Sequence, residues 1–327
     1  MTKPLALLVV LLSLAASASA NPHGILWAKG KRPSTLKSSK AADGGLLYYG
    51  GPVIPNAKVY AVFWGDGVSA ETKSNIGPFF ANILDSTYID WLSEYDTNKT
   101  AVDGRQGTNQ HIGRGSFAGS IAITPANTAK ALTDDMIQKE LEGQIAAGKL
   151  PPSGENNLYM IYFPSGVSIS IEGQKSCSSF CAYHEGFKSE RTGSPVYYGV
   201  MPVCGWGCGG GFDGLTAVSS HECLEAITDP FPTPGDKPAY PQAWNDAGGQ
   251  EIADLCASGS GTVTGHGLTS TVSGEWDNSV GGCNQGPWTQ NAAANAIAML
   301  TRLPAPLPHS ALLDSALSAP ASVFAGR

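Results

Sequence analysis

Charge is scarce in this chain: Asp, Glu, Lys and Arg make up 14% of its 327 residues, and the formal net charge is -7. Without a basic excess there is no electrostatic footprint for nucleic acid or for an anionic membrane surface. The one basic cluster, Lys29, Lys31, Arg32, Lys37 and Lys40, lies in a Ser-, Pro- and Gly-containing stretch that reads as a solvated leader. Long apolar runs are missing too. Past Ala20 no segment offers the roughly 20 uninterrupted apolar residues that a spanning helix needs. What is present is an apolar content of 42%, enough to fill the core of an enzyme of ordinary size.

The ends are biased in composition. MTKPLALLVVLLSLAASASA has a cation at Lys3, an apolar run from Leu5 to Leu14 and small residues up to Ala20, the order of a secretory signal peptide, residues 1–20. Residues 21–45 read as a basic flexible leader or propeptide. A single globular domain is expected over 46–303, and 304–327 as a flexible Ala/Pro/Ser-rich tail. The expected location is secreted or extracellular, a periplasm or cell wall included. Asn98-Lys99-Thr100 is an acceptor sequon if the host glycosylates.

Between the ends, hydrophobic periodicity predicts strands over 56–65, 116–124, 157–163 and 195–202. Ile76, Phe79, Phe80, Ile83 and Leu84 recur at helical spacing and predict a helix over 70–86. Residues 133–149 carry an N-cap Thr, early acids and a late Gly, the charge order of a helix. A third helix is expected between Asp213, as its cap, and Pro230, and a closing helix over 287–303. The fold class is α/β (α+β), a zincin-like mixed sheet packed with helices, followed by a loop-rich, disulfide-stapled region over 230–286.

All seven cysteines lie in the exported part. Cys177/Cys181 and Cys204/Cys208 repeat a Cys-x3-Cys spacing that suits either disulfides or a four-thiolate zinc site, and an oxidising compartment favours disulfides. Cys223, inside a regular helix, is the expected odd thiol. Pairing among Cys177, Cys181, Cys204, Cys208, Cys256 and Cys283 stays open, since fifteen connectivities exist.

One constellation has the look of chemistry. DGLTAVSSHECLEAITDPF contains H-E-x-x-E, in which His221 and Glu225 share a helix face while Glu222 is rotated by about 100°. This is the zincin H-E-x-x-H geometry with a carboxylate in place of the second histidine. A catalytic zinc takes three protein ligands, so His221 and Glu225 need a third, for which Glu251 in GGQEIADLC is the candidate. Glu222 is placed to take the proton of the attacking water, and Asp254 to orient a liganding histidine from behind. Calcium is the alternative cation, through Glu225, Asp229 and Glu251. His184, in CAYHEGF, reads as a structural histidine, or as a donor on the substrate side.

YYGGPVIPNAKVYAVFWG, CSSFCAYH, CGWGC, the run from Asp213 to Phe231 and QEIADLC together resemble the phosphate-induced protein or EXORDIUM family, extracellular proteins of plants with relatives in microbes. The resemblance runs from Leu46 to Cys283 and gives every cysteine but Cys223 a counterpart. It implies a role at the cell wall or in growth, with a cell-wall component as partner. Plant members are small and apolar where this chain has His221, Glu222 and Glu225, so the resemblance implies a scaffold that does not need those charges. The expectation is a zinc-dependent hydrolase, a metallopeptidase acting on a peptide or protein. A non-catalytic extracellular protein of the EXORDIUM kind is the alternative.

Overall fold

Alternation of side chains along four expected strands and two further ones builds a six-stranded mixed sheet. The computed structural model describes residues 24–32, 45–232 and 237–289, all within one compact unit. The strands are β1 (Ile25–Trp27), β2 (Lys58–Trp64), β3 (Ser116–Ile123), β4 (Asn157–Tyr162), β5 (Phe180–Lys188) and β6 (Pro195–Met201). Their spatial order is β1-β5-β6-β4-β2-β3. The four strands from β6 to β3 run parallel, whereas β5 is antiparallel to both β6 and β1.

The period of two sends alternate residues into two cores. Val59, Ala61, Phe63, Leu158, Met160 and Tyr162 face one side, where helices α1 (Ala70–Leu84) and α3 (Gly211–Thr228) pack. Val62, Trp64, Tyr159, Ile161, Val196 and Tyr198 face the other, covered by Ile137 and Leu141 of α2 (Asp134–Ala146). Parallel central strands covered on both faces explain why they read as near-continuous apolar runs.

The helices start where local chemistry predicts. Ser69 Oγ accepts the Thr72 N–H at 3.0 Å to cap α1, and Thr133 caps α2 through the Met136 N–H. The cap of α3 corrects the expectation. The N-cap is Gly210, and Asp213 sits inside the first turn, where its charge faces the helix N-terminus without a capping hydrogen bond. The helix begins earlier because Gly209, Gly210 and Gly211 all take positive φ in the turn after Cys208.

Three segments differ from expectation. Residues Ile25–Trp27, read as leader, form the edge strand β1 against β5. Strand β5 itself was not legible, because its cysteine, histidine and glycine break the apolar pattern. Of the closing helix over 287–303, Trp288–Thr289 is a strand paired in parallel with Val263–Thr264, and residues 290–303 lie outside the described residues, as do 1–20 and 304–327.

The region after α3 is loop-rich, with a hairpin of β7 (Ser260–Gly265) and β8 (Leu268–Ser273) laid on the helix. Three disulfides staple the chain: Cys177–Cys204, Cys181–Cys208 and Cys256–Cys283. The two Cys-x3-Cys pairs are therefore cross-linked to each other, tying the approach to β5 to the loop after β6. Cys223 is free and buried, as expected. Among the described residues no helix is long and apolar enough to cross a membrane. Asn98 is exposed.

Candidate metal centre

Helix α3 is buried from Ser219 to Thr228 on every side, which is how an apolar core helix behaves, yet it carries an imidazole and two carboxyl groups there. His221 is 2% exposed, and Glu222 and Glu225 are 0% exposed. Buried charges need partners, and three neighbouring elements bring them.

Strand β5 supplies His184. The alternation that sends Tyr183 to the α2 side sends Ala182 and His184 to the α3 side. Gly186 lets the end of the helix approach: a Cβ there would lie 2.3 Å from the Pro230 carbonyl oxygen. The backbone thus brings the Asp229 carbonyl to 3.1 Å from His184 Nε2, while Nδ1 lies 3.2 Å from Glu222 Oε2.

The segment after a tight turn at Asp246–Gln250 supplies Glu251 and Asp254. Asp246 Oδ1 accepts the Gly248 and Gln250 N–H groups, each at 2.8 Å, and the Cys256–Cys283 bridge holds the other end. Finally Glu275 approaches from behind the hairpin, accepting from Tyr88 Oη at 2.7 Å and from Ser273 Oγ.

These groups converge as two donor sets with Glu225 in common. His184, Glu225 and Glu251 form one, fully buried; His221, Glu225 and Asp254 form the other, and within each set the ligand atoms lie within 4.8 Å of one another. Glu225 Oε1 is 3.1 Å from His221 Nε2 and accepts the Asp254 N–H at 3.0 Å; Oε2 is 3.7 Å from His184 Nδ1. Several contacts are close without hydrogen-bond alignment. Glu251 Oε1 is 3.4 Å from His184 Nε2, yet neither Glu251 oxygen has a hydrogen-bond partner, nor do Glu225 Oε2, Glu222 Oε1 and His221 Nε2. Buried imidazole and carboxylate atoms that lack hydrogen-bond partners and lie within 4.8 Å of one another are what a cation site presents.

The electrostatics point the same way. Burial opposes charge on His221, yet Glu225, Glu222 and Asp254 push it up to about 10. Burial also opposes charge on His184, but Glu251 and Glu222 hold it well above the ordinary imidazole value. Burial raises Glu222 to about 7 against the pull of His184 and His221, raises Asp254 to about 6 with Glu225 adding to it, and raises Glu251 well above its ordinary value. Glu225 alone goes down, because His221, His184 and the Asp254 N–H outweigh its burial. Carboxylates outnumber cations here, and only protons or a metal can balance them.

The two sets differ in access. His221 and Asp254 line a cleft of about 680 Å³ whose walls include Trp27, Arg32, Ser258 and Thr271. Arg32 reaches over Asp254 at 3.9 Å. A larger hollow of about 980 Å³ along α2 contains none of the candidate ligands.

The expected ligands divide between the two donor sets. His221, Glu225 and Glu251 do not gather as one set: Glu251 joins Glu225 and His184, whereas His221 joins Glu225 and Asp254. Asp254, read as an orienting group, is a candidate ligand. His184, read as structural, is central to the cluster; the signal that could have found it is its alternation with Ala182 in CAYHEGF. Glu222 contacts His184. Asp229, read as a calcium ligand, has its oxygens engaged by the Ala243 N–H at 2.7 Å and Asn245 Nδ2 at 2.5 Å, and it ties down the chain after the helix. No family model, curated protein or solved structure matches this chain.

Proposed function

We propose that this protein is a secreted, zinc-dependent hydrolase acting on peptide bonds. One observation carries the reading: an imidazole and two carboxylates, from His221, Glu225 and Asp254, converge where His221 and Asp254 line an open cleft. Three protein ligands facing an open position is the composition of a catalytic zinc site. Two imidazoles within the cluster favour zinc over calcium, which takes oxygen ligands throughout.

Zinc held there by His221, Glu225 and Asp254 would supply Lewis acidity toward a substrate carbonyl and a more acidic water at neutral pH. The chain's residues do the rest. Glu225 accepts the Asp254 N–H through Oε1, and Asp254 is braced by the disulfide two residues on. Glu222 follows His221 on the helix and belongs to neither donor set; it is buried with Oε2 on His184, so in this reading it takes the proton of the attacking water through Oε1, which has no hydrogen-bond partner, once its side chain turns toward the cleft. Trp27 and Arg32 wall the cleft and position the substrate. The packing of an H-E-x-x-E helix on a mixed sheet supports a zincin-like reading; the three disulfides and the N-terminal composition support export.

Elemental analysis of the purified protein, with peptidase assays of wild type, Glu222→Gln and Glu275→Gln, tests it. Zinc in all three and turnover lost only in Glu222→Gln is expected. Metal-free wild type, or equal turnover in wild type and Glu222→Gln, overturns it.

A second reading is favoured by burial: His184, Glu222, Glu225 and Glu251 are at most 1% exposed, as a purely structural cluster would be. In that reading the protein is a non-catalytic extracellular protein of the EXORDIUM kind, with a cell-wall partner. His221→Ala would then leave its effect on cell-wall growth intact.

A further inference from the structure

Glu225 belongs to both donor sets through different oxygens. Oε1 faces His221, at 3.1 Å, while Oε2 faces His184, at 3.7 Å, and has no hydrogen-bond partner. A carboxylate presented in this way is what joins the two ions of a two-metal centre. On the inner side Glu251 is 0% exposed with both oxygens lacking hydrogen-bond partners, a second observation that does not depend on the shared residue.

We infer that this protein holds two divalent cations bridged by Glu225, one at the cleft with His221 and Asp254, and a second, enclosed one with His184 and Glu251. The inference rests on the metal-binding part of the proposed function and not on turnover.

Glu222, Glu225, Glu251 and Asp254 bring four carboxylates into a volume where each is buried or nearly so, with the Arg32 guanidinium 3.9 Å from Asp254 on the cleft side only. Divalent cations compensate such an excess and let both imidazoles stay neutral, the form that ligates. On the inner side His184 Nε2 lies 3.1 Å from the Asp229 carbonyl oxygen and 3.4 Å from Glu251 Oε1, while Nδ1 faces Glu222 and Glu225. A liganding histidine usually has its other ring nitrogen held in this way. The inner cation then has no route to substrate. It fixes the Glu225 carboxylate for the cleft-side ion and clamps helix α3 to strand β5 and to the 246–256 segment.

The purified protein, stripped with EDTA and titrated with zinc chloride, is expected to take up two equivalents by calorimetry and by elemental analysis. His184→Asn and His221→Asn should each take one, and Glu225→Gln should weaken both by more than roughly tenfold, since even an indirect partner of a ligand contributes that much. A wild type that saturates at one equivalent, or a His184→Asn protein that still takes two, overturns the inference. Cobalt as the probe keeps the test independent of the variants' folding. At two equivalents the wild-type paramagnetic resonance signal should fall below twice that at one, because a shared carboxylate couples the ions; strictly additive signals overturn the bridge. Two equivalents without turnover support this inference and overturn the hydrolase reading, whereas turnover with a single equivalent does the reverse.

Discussion

His184 Nδ1 on strand β5 lies 3.2 Å from Glu222 Oε2 on helix α3, with both side chains out of contact with solvent. This pair links the sheet to the helix that carries the other candidate ligands. Removing one member of a buried ion pair leaves the other uncompensated, at a cost of about 3–5 kcal/mol. His184→Ala should therefore destabilise the metal-free protein by about that much. Urea unfolding in the presence of EDTA measures it, and a loss within about 0.5 kcal/mol would mean that the pair is not held in the folded state.

Metal itself should stabilise the fold, because a site assembled from β5, α3 and the 246–256 segment exists only in the native chain. Zinc at 100 times its dissociation constant is expected to add about 2.7 kcal/mol, seen as a melting temperature that rises with zinc and falls with EDTA. An unchanged melting temperature would show that the native state gains nothing from the cation.

The Cys256–Cys283 bridge spans a sequence separation of 27 and ends two residues from Asp254. A loop of that length contributes about 3–4 kcal/mol by restricting the unfolded chain. The Cys256→Ser/Cys283→Ser double variant should lose most of that stability in denaturant titration, and should bind zinc more weakly because Asp254 loses its brace.

Gly186 accommodates the chain leaving α3. A Cβ there would fall 2.3 Å from the Pro230 carbonyl oxygen and 2.9 Å from the Phe231 ring, so Gly186→Ala has to push the helix end away from β5. The expected cost is about 1–3 kcal/mol, with weaker zinc binding as His184 and Glu222 separate. Gly193→Ala, where a Cβ meets nothing within 4 Å but φ is +70°, serves as a comparison in which only backbone strain is added.

Glu275 sets a pH dependence. Burial raises its carboxyl to about 8, although His221, Ser273 and Tyr88 act to lower it. An acid with a raised folded value holds its proton more tightly in the native state. Its contribution is fully present below about 4.5, the unfolded value, and is lost as pH rises toward 8. In EDTA, stability should decline by on the order of a few kcal/mol over that window, and Glu275→Gln should make the decline shallower while Glu222, Asp254 and Glu251, whose carboxyls are raised as well, keep the rest of it. Parallel profiles for the two proteins would place the titration elsewhere.

Much of this architecture could be read locally. The apolar runs around Lys58, Asn157 and Pro195, the 3–4 spacing of Ile76, Phe79, Phe80 and Ile83, and the Thr133 cap each depend on neighbours a few residues away. The start of α3 could not be assigned from Asp213 because three consecutive glycines hold the turn in positive φ, which composition marks only as a loop. Trp288 reads as helix by composition, yet it pairs with Val263, because a distant strand edge offered its backbone better partners.

The chain by itself determined that His221 and Glu225 would meet, since an α-helix sets residues four apart on one face whatever surrounds it. It also determined the odd Cys223 and an excess of carboxylates in the segment that follows. Only the tertiary structure decided which partners those residues take. Antiparallel pairing of β5 with β6 puts His184 under the helix, the 254–256 turn carries Asp254 toward His221 while Glu251 turns inward, and the cysteines pair across elements. Each depends on contacts between residues remote in sequence, which no local period encodes and which burial, by demanding a partner for every charge, selects.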